Sequence, residues 1–197
     1  MTGYSKGYGF DAGKKLSQND HAWNAVKIEG KYFLADATWG AGVINHKGKY
    51  ERKFNEAYFL SRPENFIYSH LPADPMWQLL SNPVSPDVFR KDTADIKNAL
   101  KTENWFSYTD TIAVFESLPA PLQEVNSAER AFRFNPINYD IAGFAYLGYA
   151  FYLSQDMPNP NVDKEAFITK QKEVLRMNEK AVERSEERRV GKECRSR

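Results

Sequence analysis

The sequence predicts an α+β chain, with antiparallel strands to about residue 86 and helices beyond, on three observations. Two runs rich in β-branched and aromatic residues, 22–28 and 31–39, flank the link Glu29-Gly30, and a two-residue link is the length that closes a β-hairpin. Within residues 120–134, Leu122, Val125, Ala128, Ala131 and Phe132 recur at helical spacing. Residues 163–183 repeat that pattern, with Phe167, Ile168, Val174, Leu175, Ala181 and Val182 on one stripe among Lys and Glu.

Taken in order, Gly40-Ala41-Gly42 breaks the second strand, and Asn45-His46-Lys47-Gly48 marks a turn. Ala57-Tyr58-Phe59-Leu60 reads as a third strand ending at Arg62-Pro63. Five prolines between Pro63 and Pro86 predict an ordered loop region, pinned to the core by Trp77, Leu79 and Leu80. Asn135-Pro136 stops the helix over 120–134. Residues 139–154 are apolar and aromatic almost all round, and Gln155-Asp156-Met157-Pro158 ends them. The domains expected are therefore 1–86, a β-rich core, and 87–183, a helical extension.

Composition narrows the function classes. The 197 residues are 42% hydrophobic and carry 28 aromatic rings, so disorder is a poor reading. The formal net charge is +1, and no basic stripe or stacking platform suggests a nucleic-acid partner. Mean hydropathy is −0.65, and no apolar run approaches the roughly 20 residues of a spanning helix. Residues 184–197 lack hydrophobic periodicity and resemble the translation of a sequencing adapter. Setting them aside leaves 21 basic and 23 acidic residues, a charge near −2, and removes the one cysteine, Cys194, to which no chemistry is given. Residues 1–10 have neither a basic nor an apolar leader segment and read like the middle of a domain, so they leave the compartment open.

The hairpin carries the candidate chemistry. With a two-residue loop Ile28 pairs with Lys31, so in a continuous ladder His21 faces Thr38 and Trp23 faces Asp36. Strand side chains alternate, which puts all four on one face. His21 and Asp36 are then diagonal neighbours about 7–8 Å apart at the backbone. An imidazole and a carboxylate in reach of each other suit a general base and its orienting acid. On pattern alone, such a pair is more often a structural hydrogen bond than a catalytic dyad. Trp23 and Trp39 are candidate walls of a substrate cleft, with core packing as the alternative. His21, His46 and His70 show no zinc-ligand spacing, and no phosphate-binding loop is present, so neither a metal nor a cofactor is expected.

Gly3-Tyr4-Ser5-Lys6-Gly7, then Asn19-Asp20-His21-Ala22-Trp23-Asn24-Ala25-Val26, then Leu34-Ala35-Asp36-Ala37-Thr38-Trp39-Gly40-Ala41-Gly42 resemble the second half of a transglutaminase-like domain of the kyphoscoliosis peptidase branch. Tyr58-Phe59-Leu60, Pro63, Phe66-Ile67, His70 and Trp77-Gln78-Leu79-Leu80 extend the resemblance to about residue 80. It implies a papain-like core, an antiparallel sheet packed against a helix that bears a cysteine nucleophile. His21 would be the base, Asp36 its orienter, and a peptide or protein the substrate. In that family the cysteine precedes the Gly-Tyr-Ser-Lys-Gly motif, with which this chain opens. The resemblance thus implies a fragment of a cysteine peptidase or amide acyl-transfer enzyme that lacks its attacking thiol and is inactive as it stands. The alternative is a non-catalytic interaction module on the same scaffold. The helical part is weakly similar to a tetratricopeptide array, through Ala128, Ala131-Phe132, Pro136 and Tyr146-Leu147-Gly148-Tyr149, which would give it a protein partner.

Overall fold

The computed structural model describes residues 1–193 apart from 8, 9, 14, 17 and 18, with side chains described as far as Glu186. Cys194 lies outside the described residues. Packing divides the chain into two units, Met1–Ile112 and Ala113–Arg197. The architecture is α+β, with short antiparallel sheets in the first unit and helices in the second.

The first unit begins with β1 (Thr2–Ser5), β2 (His21–Ala22), β3 (Asn24–Ile28) and β4 (Lys31–Ala35). β3 and β4 form the expected hairpin in the expected register, from Ile28↔Lys31 to Asn24↔Ala35. Glu29 and Gly30 both take positive φ, 48° and 79°, the backbone that a two-residue hairpin turn of matching twist demands. Glycine accepts this freely, whereas Glu29 is held there against its preference. The strand over 21–28 changes partner at Trp23. Its first two residues pair with β1, and those after Trp23 pair with β4.

The second run of the hairpin is shorter than the sequence predicts, because β4 ends at Ala35. Asp36 caps a short helix, α1 (Ala37–Ala41), and its side chain accepts from the backbone N–H groups of Thr38 and Trp39. Aspartate is among the strongest residues at this position, and the cap wins over further strand pairing. β5 (Gly42–Ile44) and β6 (Tyr50–Arg52) form a second hairpin across the Asn45–Gly48 turn. The predicted third strand is absent. Residues 56–58 form a 3-10 turn capped by Asn55, and only Ser61 bridges to Leu34.

The proline-rich stretch is more regular than expected. It holds α2 (Pro63–Phe66), β7 (His70–Pro72) and a 3-10 turn over Pro75–Gln78. β7 pairs with β1, which makes β1 the centre of a three-stranded sheet in the order β2-β1-β7. Leu79 and Leu80 are buried as expected, with Tyr4, Leu34, Phe66, Leu71, Met76 and Phe89. The buried Gln78 amide donates to the Val84 carbonyl and accepts from the Val84 N–H, so one side chain closes the loop as a strand would. α3 (Pro86–Phe89) and α4 (Thr93–Ala99) complete this unit.

The chain enters the second unit along α5 (Tyr108–Ser117), followed by α6 (Ala120–Phe134), α7 (Tyr139–Ser154) and α8 (Lys164–Glu193). The helices over 120–134 and 139–154 have the bounds expected from the periodicity of the first, the apolar run of the second and the stop signals after each. Lys180 lies over the ring of Tyr146, and a Cβ on Gly143 would touch the Ala181 carbonyl, so α7 and α8 run antiparallel. Tyr146, Ala150, Leu153 and Met177 form their shared core. Arg184 reaches Glu129 of α6 with two hydrogen bonds, 2.9 and 3.2 Å. Among the described residues no helix is long and apolar enough to cross a membrane.

Candidate functional site

Strand order explains how the site assembles. Gly3 of β1 pairs with His21 of β2 on one side, and Ser5 of β1 pairs with His70 of β7 on the other. Paired residues share a face and alternate residues of one strand share a face, so His21 and His70 project from the same side of the sheet. A Cβ on Gly3 would collide with the Trp23 ring and with the backbone of Leu71 and Pro72. Only glycine lets Trp23 fold across this face.

Asp36 arrives from the other sheet, at the junction of β4 and α1. Its Oδ1 accepts from the N–H groups of Thr38 at 2.8 Å and Trp39 at 3.0 Å. Its Oδ2 lies 2.6 Å from His21 Nε2 and 3.0 Å from His70 Nε2. An ionised carboxylate only accepts, so both imidazoles donate through Nε2. His21 and Asp36 thus meet, but not as ladder neighbours. The strand pairing that would have set His21 opposite Thr38 stops at Asn24↔Ala35, and the cap turns the Asp36 carboxylate back toward β2. The expectation identified the pair and misjudged the route.

Burial separates the two histidines. The His21 side chain is 15% exposed, while those of His70 and Asp36 are fully buried. His21 lines a cleft of about 830 Å³ with Tyr4, Lys6, Trp39, Tyr50 and Tyr58. Among the described residues its Nδ1 has no hydrogen-bond partner. The Nδ1 of His70, by contrast, lies 2.8 Å from the Ser69 hydroxyl. The His70 ring stacks on Phe66 at 4.1 Å, with Trp39 and Trp23 at 4.6 and 4.9 Å. Trp39, on α1 rather than on a strand, stands in the cleft wall 5.4 Å from the His21 ring. Trp23 is buried beneath the site and is not among the residues that line the cleft.

Electrostatics follow the same geometry. Burial alone would push the Asp36 carboxyl up. Hydrogen bonds from His70, His21 and the Trp39 N–H, with the charge on His21, outweigh it and hold the group at about 2. Burial pushes His70 down, against the hydrogen bond and charge of Asp36, so His70 is held neutral.

His21, Asp36 and His70 are also the group of side chains that could meet a metal ion, with ligand atoms within 4.8 Å of one another. Zinc needs each ligand atom about 2.0–2.2 Å from the ion. With both Nε2 atoms in hydrogen-bond contact with one carboxylate oxygen, the cluster as it stands is a hydrogen-bonded group rather than a coordination shell. Sequence reasoning noted His70 only as one of three histidines and as part of the resemblance. Its place in the site depends on β7 pairing with β1 across some 65 residues, which no local pattern encodes.

Comparison with known proteins finds relatives over part of the chain. Over 94 residues the chain is 47% identical to the human kyphoscoliosis peptidase, covering 47% of this chain and 14% of that protein. It is 36% identical over 99 residues to the Lim and transglutaminase domain protein ltd-1 of Caenorhabditis elegans, covering 43% of this chain and 13% of that protein. Over the matched residues the chain is similar to the kyphoscoliosis peptidase branch of the transglutaminase-like proteins. Hillarin of Drosophila melanogaster is a further relative, 34% identical over 98 residues, 43% of this chain and 12% of that protein. The chain therefore spans about one seventh or less of the length of these relatives. No family model matches the chain, and no solved structure matches it.

Proposed function

We propose that this chain supplies the base half of a cysteine acyl-transfer site with a papain-like core, and that the nucleophilic thiol belongs to a segment outside the 197 residues. The observation that carries the reading is the division of labour on His21. Nε2 is committed to Asp36, and Nδ1, unpartnered among the described residues, sits on a side chain that borders the cleft. An imidazole arranged this way has a fixed tautomer and a free lone pair, which a general base needs.

A cysteine docked at the cleft would give its proton to His21 Nδ1, and the thiolate would attack an amide carbonyl carbon. The imidazolium would then protonate the leaving amine, and water or a second amine would release the acyl group. Asp36 would hold the ring and stabilise its charged form. Trp39, Tyr50 and Tyr58 give the cleft an aromatic lining suited to a peptide. Without the thiol the chain would be inactive.

The test joins this chain to the cysteine-bearing segment of a relative and assays amide hydrolysis and amine transfer. His21→Ala and Asp36→Asn are each expected to lower kcat by about 10³-fold or more. Full activity in both variants would remove the assigned roles. The second reading, a non-catalytic interaction module, draws on the exposed stripe Phe144, Leu147 and Phe151 of α7. An inactive joined protein that binds its partner through the helices would favour it.

A further inference from the structure

We infer that His70 is a positioning residue for the His21–Asp36 pair: its Nε2–H donates to the same Oδ2 of the ionised Asp36 carboxylate as His21 does and holds that oxygen in place, so that His21 keeps its Nδ1 toward the cleft. This deepens the acyl-transfer reading and rests on it for its catalytic meaning, though the geometry stands by itself.

The contacts of the site converge on the Asp36 carboxylate. Its two oxygens offer about four lone-pair sites, and four donors fill them: Thr38 N–H, Trp39 N–H, His21 Nε2–H and His70 Nε2–H. The two backbone donors fix Oδ1 at the start of α1. The two imidazoles fix Oδ2, so the group has no free lone pair to draw it elsewhere. Take His70 away and Oδ2, which is buried, keeps one donor. A buried acceptor that loses a partner gains freedom to rotate and becomes more basic.

The surroundings of His70 favour this role over space filling. Phe66, Trp23, Trp39 and Tyr58 enclose its ring, and an apolar side chain would pack there without a desolvation cost. A buried imidazole is tolerated because both nitrogens are used, Nε2 on Asp36 and Nδ1 accepting from the Ser69 hydroxyl. The ionised carboxylate, which only accepts, thereby sets both tautomers: it takes Nε2–H from His70 and from His21, which leaves His70 Nδ1 to accept from the Ser69 hydroxyl. His70 is not itself the base, because its side chain is fully buried and outside the cleft lining. The other titratable groups near the pair are Asp20, before β2, and Tyr58, on the 3-10 turn. The low position of the Asp36 carboxyl, with the His70 hydrogen bond among its causes, agrees with the geometry.

The experiment uses the chain itself, with isotope-labelled imidazoles and aspartate carboxyls, followed by NMR titration. In the unaltered protein at neutral pH, His70 is expected to be neutral, with its proton on Nε2. At pH 3 the Asp36 carboxyl is expected to be ionised. In His70→Phe its titration should move up by about one unit, leaving about half of it protonated at pH 3. His70→Gln, whose amide can donate to the same oxygen, should reverse most of that change. A folded His70→Phe with unaltered Asp36 titration would overturn the inference. So would a His70 proton on Nδ1, a measurement on the unaltered chain that holds even if the Phe variant does not fold. Neither readout involves turnover, so failure here is distinct from failure of the catalytic reading, which the joined enzyme reports.

Discussion

The two units are held by different physics. In Ala113–Arg197 the core comes from stripes on α6, α7 and α8, and the pairs that meet are those helical periodicity brings together. In Met1–Ile112 the critical contacts join residues far apart in sequence: Gly3 with Trp23, Ser5 with His70, Asp36 with His70. Helical packing of this kind is graded, and a substitution costs about what its own buried surface is worth. The site is interlocked, because removing one partner leaves another buried group unsatisfied or misplaced.

The largest expected effect is at Gly3. Gly3→Ala places a carbon against the Leu71 carbonyl and the Trp23 ring, and neither the backbone of β7 nor a packed indole can yield cheaply. We expect a loss of about 3 kcal/mol or more in the first unit. Trp23, Trp39, Trp77 and Trp105 all lie in that unit, so denaturation followed by Trp fluorescence reads it. A loss below about 1 kcal/mol would show that the sheet relaxes around the added carbon and is not interlocked at Gly3.

Gln78→Leu comes next. The amide makes two buried hydrogen bonds to Val84, at 3.0 and 2.8 Å, and the substitution strands both backbone groups. The same fluorescence measurement should show a loss of about 2–4 kcal/mol. A neutral result would mean that water replaces the amide.

Acid should weaken the first unit through the site. The Asp36 carboxyl is lower in the folded chain than its ordinary 3.8, at about 2. Its contribution is therefore present above about pH 4 and lost as the pH falls toward 2, about 2 kcal/mol in all. His70 is also lower when folded than its ordinary 6.5. The unfolded chain then binds the proton first, and stability declines as the pH drops below about 6.5. Both act in the same direction. Stability read by Trp fluorescence should fall steadily from pH 7 to pH 3, and His70→Phe should flatten the upper part of that slope. A flat profile in the unaltered protein would contradict the buried, neutral His70.

The contrast also explains what could be read from the chain beforehand. α6 and α7 were legible to the residue because periodicity, Asn135-Pro136 and the Gln155–Pro158 stop are local signals. The β3–β4 register was legible because the length of the turn sets it. The end of β4 was not, since Ala37-Thr38-Trp39 has the composition of a strand, and the Asp36 cap decides only when the strand has no partner left to pair with. His21 and Asp36 were found through a face-sharing argument that the structure replaces with a cap and a change of strand partner. His70 lay in a proline-rich stretch without periodicity, and only the order β2-β1-β7 brings it beside them.

The smallest effect sharpens the comparison from the other side. Gly148 lies exposed on α7, between Phe144, Leu147 and Phe151, and a Cβ there would meet nothing within 4 Å. The chemical change of Gly3→Ala, made at this position, should act through the backbone alone. Alanine lowers the entropy of the unfolded chain and favours the helix by about 0.5–1 kcal/mol. Circular dichroism at the helical band should then record a thermal midpoint a few degrees higher. A lower midpoint would mean that another surface packs closely on the stripe at Gly148, so that this face, like the β sheet at Gly3, needs the missing side chain. One methyl group, destabilising in the sheet and stabilising on the helix, thus separates sterically required glycine from glycine that is merely tolerated.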